Sequence, residues 1–411
     1  MMTRQAVILV GGKGTRLGAL ASTTPKPLMP ISGDAVFLDV LLLEIVRHGF
    51  DDILLLAGHL HEKMLERYRG RSIRGASLRV VVESAPAGTA GALKNAAPLL
   101  DSVFLLANGD TLFDINLRRL SARLEKNPDI LGALALRRES DATRYGSVRL
   151  QDGYIVAFRE KGGRAGPASI NAGLGVFRRE ILTLIEETPC SIELEVYPRL
   201  AAARAMLGEE FEGYFIDIGT PESLDKARRD LAGRRRPAFF FDRDGVLNRD
   251  AGYCHRVEDL EWIPGAVETI RRVNESGAFT FVVSNQAGIA RGLFRESDVD
   301  RFHAAMSAQL ASAGAHIDAF YFCPYHPDAV VAEWRHPNHP DRKPNPGLIE
   351  RARAEWPIDS AASFLVGDKA SDMEAARRAG IRGLSFTDGD LYESTRSAIE
   401  HVAVLRGRTH T

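Results

Sequence analysis

Two acids two residues apart, Asp242 and Asp244, end the apolar run in "FFFDRDGVLNRD", residues 239 to 250. Alternate side chains of a strand share a face, so both carboxylates would point the same way. At about 4 Å two such charges repel by roughly 4 kcal/mol at an effective dielectric near 20, which implies a cation. Magnesium bridging Asp242 and a substrate phosphate turns that repulsion into coordination. Asp242 is then placed to attack phosphorus, and Asp244 to protonate the leaving oxygen. A turn with solvated acids is the ordinary alternative. A calcium loop is disfavoured, because Arg243 interrupts the acids and Val246 and Leu247 follow in place of further oxygen ligands.

Later apolar runs end in residues that complete this chemistry. "VVSNQAGIARG" brings Ser284 and Asn285 to a strand end, "DRKPNPG" supplies Arg342 and Lys343, and "LVGDKASD" supplies Asp368, Lys369 and Asp372. The order Asp-x-Asp, Ser, Lys, Gly-Asp-x-x-x-Asp resembles the haloacid dehalogenase (HAD) superfamily over residues 237 to about 390. The resemblance implies that Asp242 is the nucleophile and Asp244 the general acid and base. Ser284 and Lys343 would bind the transferring phosphoryl group, and Asp242, Asp244, Asp368 and Asp372 would hold magnesium. "FDRDGVLNRDAGY", "SNQAGIARG", "CPYHP" and "DRKPNPG" further resemble heptose 1,7-bisphosphate and histidinol-phosphate phosphatases. By that match Asp250, Tyr253, Asn285, Arg291, Arg342, Lys343 and Lys369 would contact the substrate, an arginine beside a lysine being suited to phosphate. Relatives often carry a zinc loop, Cys-x-His then Cys-x-Cys, of which only Cys323 stands here. A metal-free loop is expected, with Tyr325 packed and histidines capping turns; zinc held by His326, His336, His339 and Asp341 is the alternative.

The amino-terminal half has its own candidates. The run "AVILV" enters "GGKGTRLGALASTTPKPLMP", in which Gly11, Gly12 and Gly14 let backbone amides approach a phosphate chain and Lys13, Arg16 and Lys26 add positive charge. No Gly-Lys-Ser/Thr is present and Leu17 breaks the dinucleotide pattern, so a tight strand-to-helix turn competes with phosphate binding. Asp110 and Asp217 each follow an apolar strand, where a helix cap or turn role competes with metal binding. The ordered set "GGKGTRL", "PKPLMP", "GTAGAL", "NGDTLFD", "FREK", "INAGLGVF" and "FIDIGTPE" resembles the sugar-1-phosphate nucleotidyltransferases over roughly residues 4 to 232. That resemblance implies that Gly11, Gly12, Gly14, Thr15, Arg16 and Lys26 hold the phosphates of an NTP, with Arg16 and Lys26 catalytic. Gly88 and Thr89 would line the base and ribose, Glu160, Lys161 and Asn171 the sugar, and Asp110 and Asp217 magnesium.

These groups need rigid carriers. Apolar runs alternate with helically spaced stretches in both halves, which implies βαβ units and parallel sheets. "YGSVRLQDGYIVAFREK" reads as an antiparallel hairpin on its Asp-Gly turn. We expect an α/β protein of two doubly wound domains: a Rossmann-like, GT-A-like domain over 1–232, a linker at 233–237 containing "RRRP", and a HAD-like Rossmannoid domain over 238–411. A length of 411 residues suits two cores. With 45% hydrophobic and 26% charged residues and a net charge of −1, no global field favours nucleic acid or an anionic membrane. Three widely spaced cysteines argue against a disulfide framework. No run is long enough for a membrane span or a signal peptide, so a cytoplasmic enzyme is expected, alone or as a homo-oligomer.

The fusion itself carries a functional expectation. Removing the C7 phosphate of heptose 1,7-bisphosphate leaves heptose 1-phosphate, the acceptor a nucleotidyltransferase needs. The expected product is an NDP-heptose, GDP-D-glycero-α-D-manno-heptose from GTP by analogy. The alternatives are a mannose 1-phosphate type of transferase joined to another phosphatase, or one half kept only as a binding module.

Overall fold

The computed structural model describes residues 2–12, 14–18, 20–140, 142, 146–159 and 166–408. It divides into two compact units, Met1–Ala232 and Gly233–Thr411. Residues 233–237, expected as a linker, fall in the second unit. Arg236 is buried there, its amide donating to Pro357 O at 2.9 Å and its carbonyl accepting from Asp359 N at 2.7 Å.

The first unit is built on a mixed sheet of ten strands among the described residues. Its parallel centre is Gln5–Leu9, flanked by Asp52–Ala57 and Val103–Asn108. These runs are apolar on both faces because helices cover both, as a parallel sheet requires. Alternate residues divide between two cores, Ala6 and Ile8 joining one and Val7 the other. The expected hairpin forms from Ser147–Gln151 and Tyr154–Arg159. Its turn residues Asp152 and Gly153 have φ of 53° and 79°, a left-handed pair that Asp-Gly tolerates.

Two departures from simple alternation shape the site. The strand Ala168–Arg178 runs antiparallel beside Val103–Asn108, and its register against Gly132–Glu139 shifts between Asn171 and Gly175. Gly173 sits in that irregularity at φ 70°, and a Cβ there would lie 2.7 Å from Asn108 Nδ2. Separately, Phe215–Asp217 pairs with Thr111–Phe113 in a small antiparallel sheet.

The second unit holds five parallel strands in the order Ala319–Cys323, Phe279–Asn285, Ala238–Phe241, Phe364–Gly367, Arg382–Ser385. The first strand in sequence is the central one, so the chain winds outward in both directions from it. Phe239 and Phe241 face one core and Phe240 the other, all three fully buried. Each such ring contributes about 1.5–3 kcal/mol by leaving water. The three phenylalanines therefore fix the strand that ends in Asp242. No described helix is long and apolar enough to cross a membrane.

Candidate active sites

In the first unit the acids meet through backbone pairing. Asp110 lies two residues beyond Val103–Asn108, and Asp217 ends Phe215–Asp217, opposite Thr111. The Ile218 amide donates to Asp110 O at 3.0 Å, which closes the pair. Lys26 Nζ stands 3.2 Å from Asp110 Oδ2. Asp217 Oδ1 accepts from Gly219 N at 2.7 Å, so it also serves the turn that sequence reasoning allowed for it. Burial, then Asp110, pushes the Asp217 carboxyl above the usual carboxylate range, against Lys26 and Arg16. A pair of acids that raises one member's pKa is suited to a divalent cation.

Two cavities share this pair's surroundings. One, of about 430 Å³, is lined by Gly11, Gly12, Lys26, Gly88, Thr89 and Asp110 among others. The other, of about 730 Å³, is lined by Arg16, Asp217 and Phe158 among others. Asn108, Asp110, Asn171, Gly173, Glu193 and Tyr197 belong to both. The glycine loop thus opens on the first cavity, and Arg16 is brought to the second, beside Asp217. Gly11 is obligatory, since a Cβ would lie 2.8 Å from Gly58 N. Gly14, at φ 65°, leaves room for the Lys26 stem. Thr89 Oγ1 accepts from Ile192 N at 2.9 Å, anchoring the segment that carries Glu193. Glu160 and Lys161, and the side chain of Thr15, lie outside the described residues. Glu193 was missed from sequence; it projects from a π-turn, Ile192–Val196, a local geometry often found at functional sites.

In the second unit the carboxyl ends of three adjacent strands converge, where open α/β sheets bind ligands. Lys343 Nζ lies 2.8 Å from Asp242 Oδ1 and 2.7 Å from Asp372 Oδ1, all buried. Burial pushes the Asp242 carboxyl up to about 6 in spite of Lys343. Burial alone would lower Lys343, yet Asp242 and Asp372 together hold it above its ordinary value. The lysine is therefore charged and shared between the two acids.

Asp242, Asp368 and Asp372 each bring a ligand oxygen within 4.8 Å of the others. Asp368 Oδ1 is buried with no hydrogen-bond partner among the described residues. An orphaned buried oxygen beside two further acids fits a magnesium ion. Glycines make the room: a Cβ on Gly245 would lie 2.6 Å from Asp368 Oδ2, and one on Gly367 2.2 Å from the Asp372 Cβ. Asp372 Oδ2 also accepts from Lys369 N at 2.9 Å, capping the helix Ala370–Ala379.

Asp244, expected among the metal ligands, places its carboxylate elsewhere. It accepts from Arg243 Nε at 3.1 Å, Asn248 Nδ2 at 2.9 Å and Gln286 Nε2 at 3.0 Å. Arg243, fully buried, turns back into the core and captures it. Asp244 still lines one cavity of about 240 Å³ with Asp242, Asp250, Tyr253, Ser284, Asn285, Lys343, Lys369 and Asp372. Asn285 is used structurally, its Nδ2 donating to Lys343 O at 3.1 Å and its Oδ1 accepting from Lys343 N at 3.0 Å. Lys369 Nζ is 3.6 Å from both Asp250 and Asp368. Arg291 lies over the Tyr253 ring at 5.7 Å, and Arg342 donates to Tyr325 O at 3.1 Å. Burial first, and Arg291 as well, lowers the Arg342 guanidinium from its usual value, so the two arginines share one neighbourhood.

The loop considered for zinc is held by turns and rings. His326, His336 and His339 each accept, on Nδ1, the amide two residues ahead, at 3.0, 3.2 and 3.1 Å. Tyr325 stacks on His339 with centroids 3.8 Å apart and planes 6° apart. Cys323 is fully buried, and burial pushes its thiol up to about 11.

Comparison with known proteins gives a family for each unit. The nucleotidyl transferase family model matches residues 5–234, and the HAD-hydrolase-like model residues 341–406. The first unit is similar to HddC from Yersinia pseudotuberculosis, solved in complex with GMP-PN. That likeness has 29% identity and a TM-score of 0.50, covering 56% of this chain and 100% of that one. D-glycero-beta-D-manno-heptose-1,7-bisphosphate 7-phosphatase of Rhodopseudomonas palustris is 44% identical over 157 residues, 38% of this chain and 87% of its own. D-glycero-D-manno-heptose-1,7-bisphosphate 7-phosphatase of Thermosynechococcus vestitus is 44% identical over 164 residues, 38% of this chain and 80% of its own. The chain belongs to the nucleotidyl transferase family through its first unit and to the HAD-like phosphatases through its second, and it is a bifunctional enzyme.

Proposed function

We propose that the second unit hydrolyses the C7 phosphate of D-glycero-D-manno-heptose 1,7-bisphosphate and that the first transfers GMP from GTP to the heptose 1-phosphate so formed. One observation carries this reading: a single chain joins a unit 44% identical to a heptose-bisphosphate phosphatase with a unit that covers all of a transferase-like structure holding a guanine nucleotide. The first product is then the second acceptor.

In the second unit Asp242 attacks phosphorus, the bond to the sugar oxygen breaks, and Asp244 gives that oxygen its proton. Water then attacks the aspartyl-phosphate, Asp244 takes the water's proton, and phosphate leaves with the Asp242 carboxylate restored. Lys343 and Ser284 hold the phosphoryl oxygens, while Asp250, Tyr253, Arg291, Arg342 and Lys369 orient the sugar and its far phosphate. In the first unit an oxygen of the sugar 1-phosphate attacks the α-phosphorus of GTP and the bond to pyrophosphate breaks. Gly11, Gly12, Gly14 and Lys26 hold the nucleotide phosphates, Arg16 approaches them from the Asp217 side, and Gly88 and Thr89 face the base and ribose. Asn171 stands with Asp110 where the two cavities meet, which is where sugar phosphate and α-phosphate have to touch. Asp110 and Asp217 in one unit, and Asp242, Asp368 and Asp372 in the other, would hold magnesium, which would supply charge neutralisation at the phosphates.

The test is incubation of the bisphosphate with each of the four NTPs and magnesium, scoring phosphate and sugar nucleotide by mass. GTP should give a GDP-heptose, and each other NTP at most a small fraction of it. The phosphatase of Rhodopseudomonas palustris is named for the β anomer, whereas we take the product here as GDP-D-glycero-α-D-manno-heptose. Offering both anomers decides that point, and turnover of mannose 1-phosphate above heptose 1-phosphate would reject heptose.

A further inference from the structure

Gln286 has no part in the chemistry above, yet it touches two groups that do. Its Nε2 lies 3.0 Å from Asp244 Oδ2 and 2.7 Å from Ser284 Oγ, and its Oε1 accepts from an Arg243 terminal nitrogen at 3.2 Å. The amide can sit only this way round, since the flipped form would set its oxygen against a carboxylate. The residue is fixed from behind as well. It is 3% exposed, and its backbone amide donates to Cys323 O at 2.8 Å. Arg243 completes the frame: it also donates to Cys254 O at 2.6 Å and packs over Phe302 with 4.6 Å to the ring centroid.

Resting on the phosphatase reading of this unit, we propose that Gln286 is a positioning residue for phosphoryl transfer, whose amide ties the Asp244 carboxylate to the Ser284 hydroxyl and so fixes where each can give a proton. The hydroxyl oxygen already accepts from Gln286, so its own hydrogen has to point elsewhere. No described protein acceptor takes it. What remains is the cavity lined by Asp242 and Lys343, into which the proposed reaction brings the phosphoryl group. The same amide holds Asp244 at that cavity's wall. One side chain thus sets the donor to the phosphoryl oxygens and the donor to the leaving oxygen at a constant spacing.

The experiment uses the full chain with magnesium, the sugar bisphosphate and p-nitrophenyl phosphate. Gln286→Met keeps the length and loses both N–H donors. It should lower kcat by about 10- to 100-fold, a fraction of the general-acid effect, with KM moved by less than about threefold. In a Ser284→Ala background the same substitution should cost several-fold less than in the wild type, because the hydroxyl it aims is gone and only its hold on Asp244 is left to lose. Gln286→Glu keeps the acceptor for Arg243 and should lose at least as much as Gln286→Met. A kcat within about twofold of wild type, losses that multiply independently of Ser284, or loss of a cooperative melt in both variants would overturn the proposal. Asp242→Asn separates the two levels of the argument. Equal hydrolysis by wild type and Asp242→Asn sinks the phosphatase reading itself, whereas an inactive Asp242→Asn beside an unimpaired Gln286→Met sinks only the placement.

Discussion

Lys26 meets Asp110 at 3.2 Å in the first unit, with side-chain exposures of 11% and 27%. In the second unit Lys343 lies between Asp242 and Asp372, with exposures of 4%, 8% and 0%. The same pairing of lysine and acid is partly solvated in one site and dry in the other. The reactions account for the difference. In nucleotidyl transfer no protein atom bonds to phosphorus, so the acids need only hold a cation and can stay hydrated. In the phosphatase step proposed above a carboxylate itself attacks, and water beside it would compete for both the nucleophile and the phosphoryl oxygens. Dryness costs free energy, since buried ions lose hydration, and Lys343 offsets part of that cost.

Reciprocal loss of function breaks the comparison most sharply if it fails. Asp242→Asn should lower phosphate release on the order of 10⁴-fold or more, as removal of a covalent nucleophile does. Nucleotidyl transfer to purified heptose 1-phosphate should stay within about twofold. Asp110→Ala should lower nucleotidyl transfer by roughly 10²–10³-fold, the scale of one lost electrostatic contact at a reacting phosphate. Its phosphate release should be unchanged. The two assays on both variants check this, and a variant that spares its own reaction removes that half from the scheme.

The lysines test dryness directly. Lys343→Met leaves Asp242 and Asp372 buried and facing each other, which should cost about 3–5 kcal/mol of stability in that unit besides its phosphatase activity. Lys26→Met removes a partly solvated pair worth about 0–1 kcal/mol. It should slow nucleotidyl transfer while leaving the melting transition nearly in place. Thermal melts of the two variants side by side decide it, and equal destabilisation would mean the sites do not differ as described.

Sequence legibility followed the same divide. Asp242 and Asp368 were readable as strand ends, whereas Lys343 and Asp372 took their place only from the order of the motifs around them. Asp110 and Asp217 were readable as strand ends, though nothing in their spacing revealed the small sheet of Thr111–Phe113 and Phe215–Asp217 that joins them. Arg243 was read only as an interruption between two acids. Its fork onto Asp244 depends on a turn that reverses the side chain into the core, and strand alternation gives no sign of that. Gln286 and Glu193 were invisible for a related reason: a neutral amide and a lone acid acquire meaning only from neighbours distant in sequence. The parallel strands were legible as apolar runs. The antiparallel strand Ala168–Arg178 at the heart of the first sheet was not, because it carries glycine and asparagine where the cavity needs them.

Acid sensitivity should also distinguish the units. Burial raises the Asp242 carboxyl from 3.8 to about 6 in the folded chain. A folded value above the unfolded one means that protonation favours the fold. This group's contribution is complete below about pH 4 and is lost as pH rises through about 6. In EDTA, Asp242→Asn should therefore raise the melting temperature of the second unit, relative to wild type, more near pH 7 than near pH 4.5. Magnesium binds the ionised acids and should restore stability at the higher pH. Asp217 is raised too, so Asp217→Asn should act in the same sense on the first unit, and more weakly because its acid pair is partly solvated. Melts with and without EDTA at the two pH values measure both trends.

The smallest expected effect concerns the loop from Cys323 to Asp341. The Tyr325–His339 stack contributes about 0.5–1.5 kcal/mol, and the bond from the Asp341 amide to His339 Nδ1 about 1 kcal/mol. His339→Ala should accordingly lower the second unit's melting temperature by a few degrees and leave kcat within about twofold. A zinc-selective chelator applied to the wild type should shift neither. The stack and a zinc site compete for the same ring, since Cys323 Sγ is 4.0 Å from the nitrogen that caps the turn. A chelator that lowered the melt as far as His339→Ala would show these side chains regrouped around a metal, and the dry site would then border a second one.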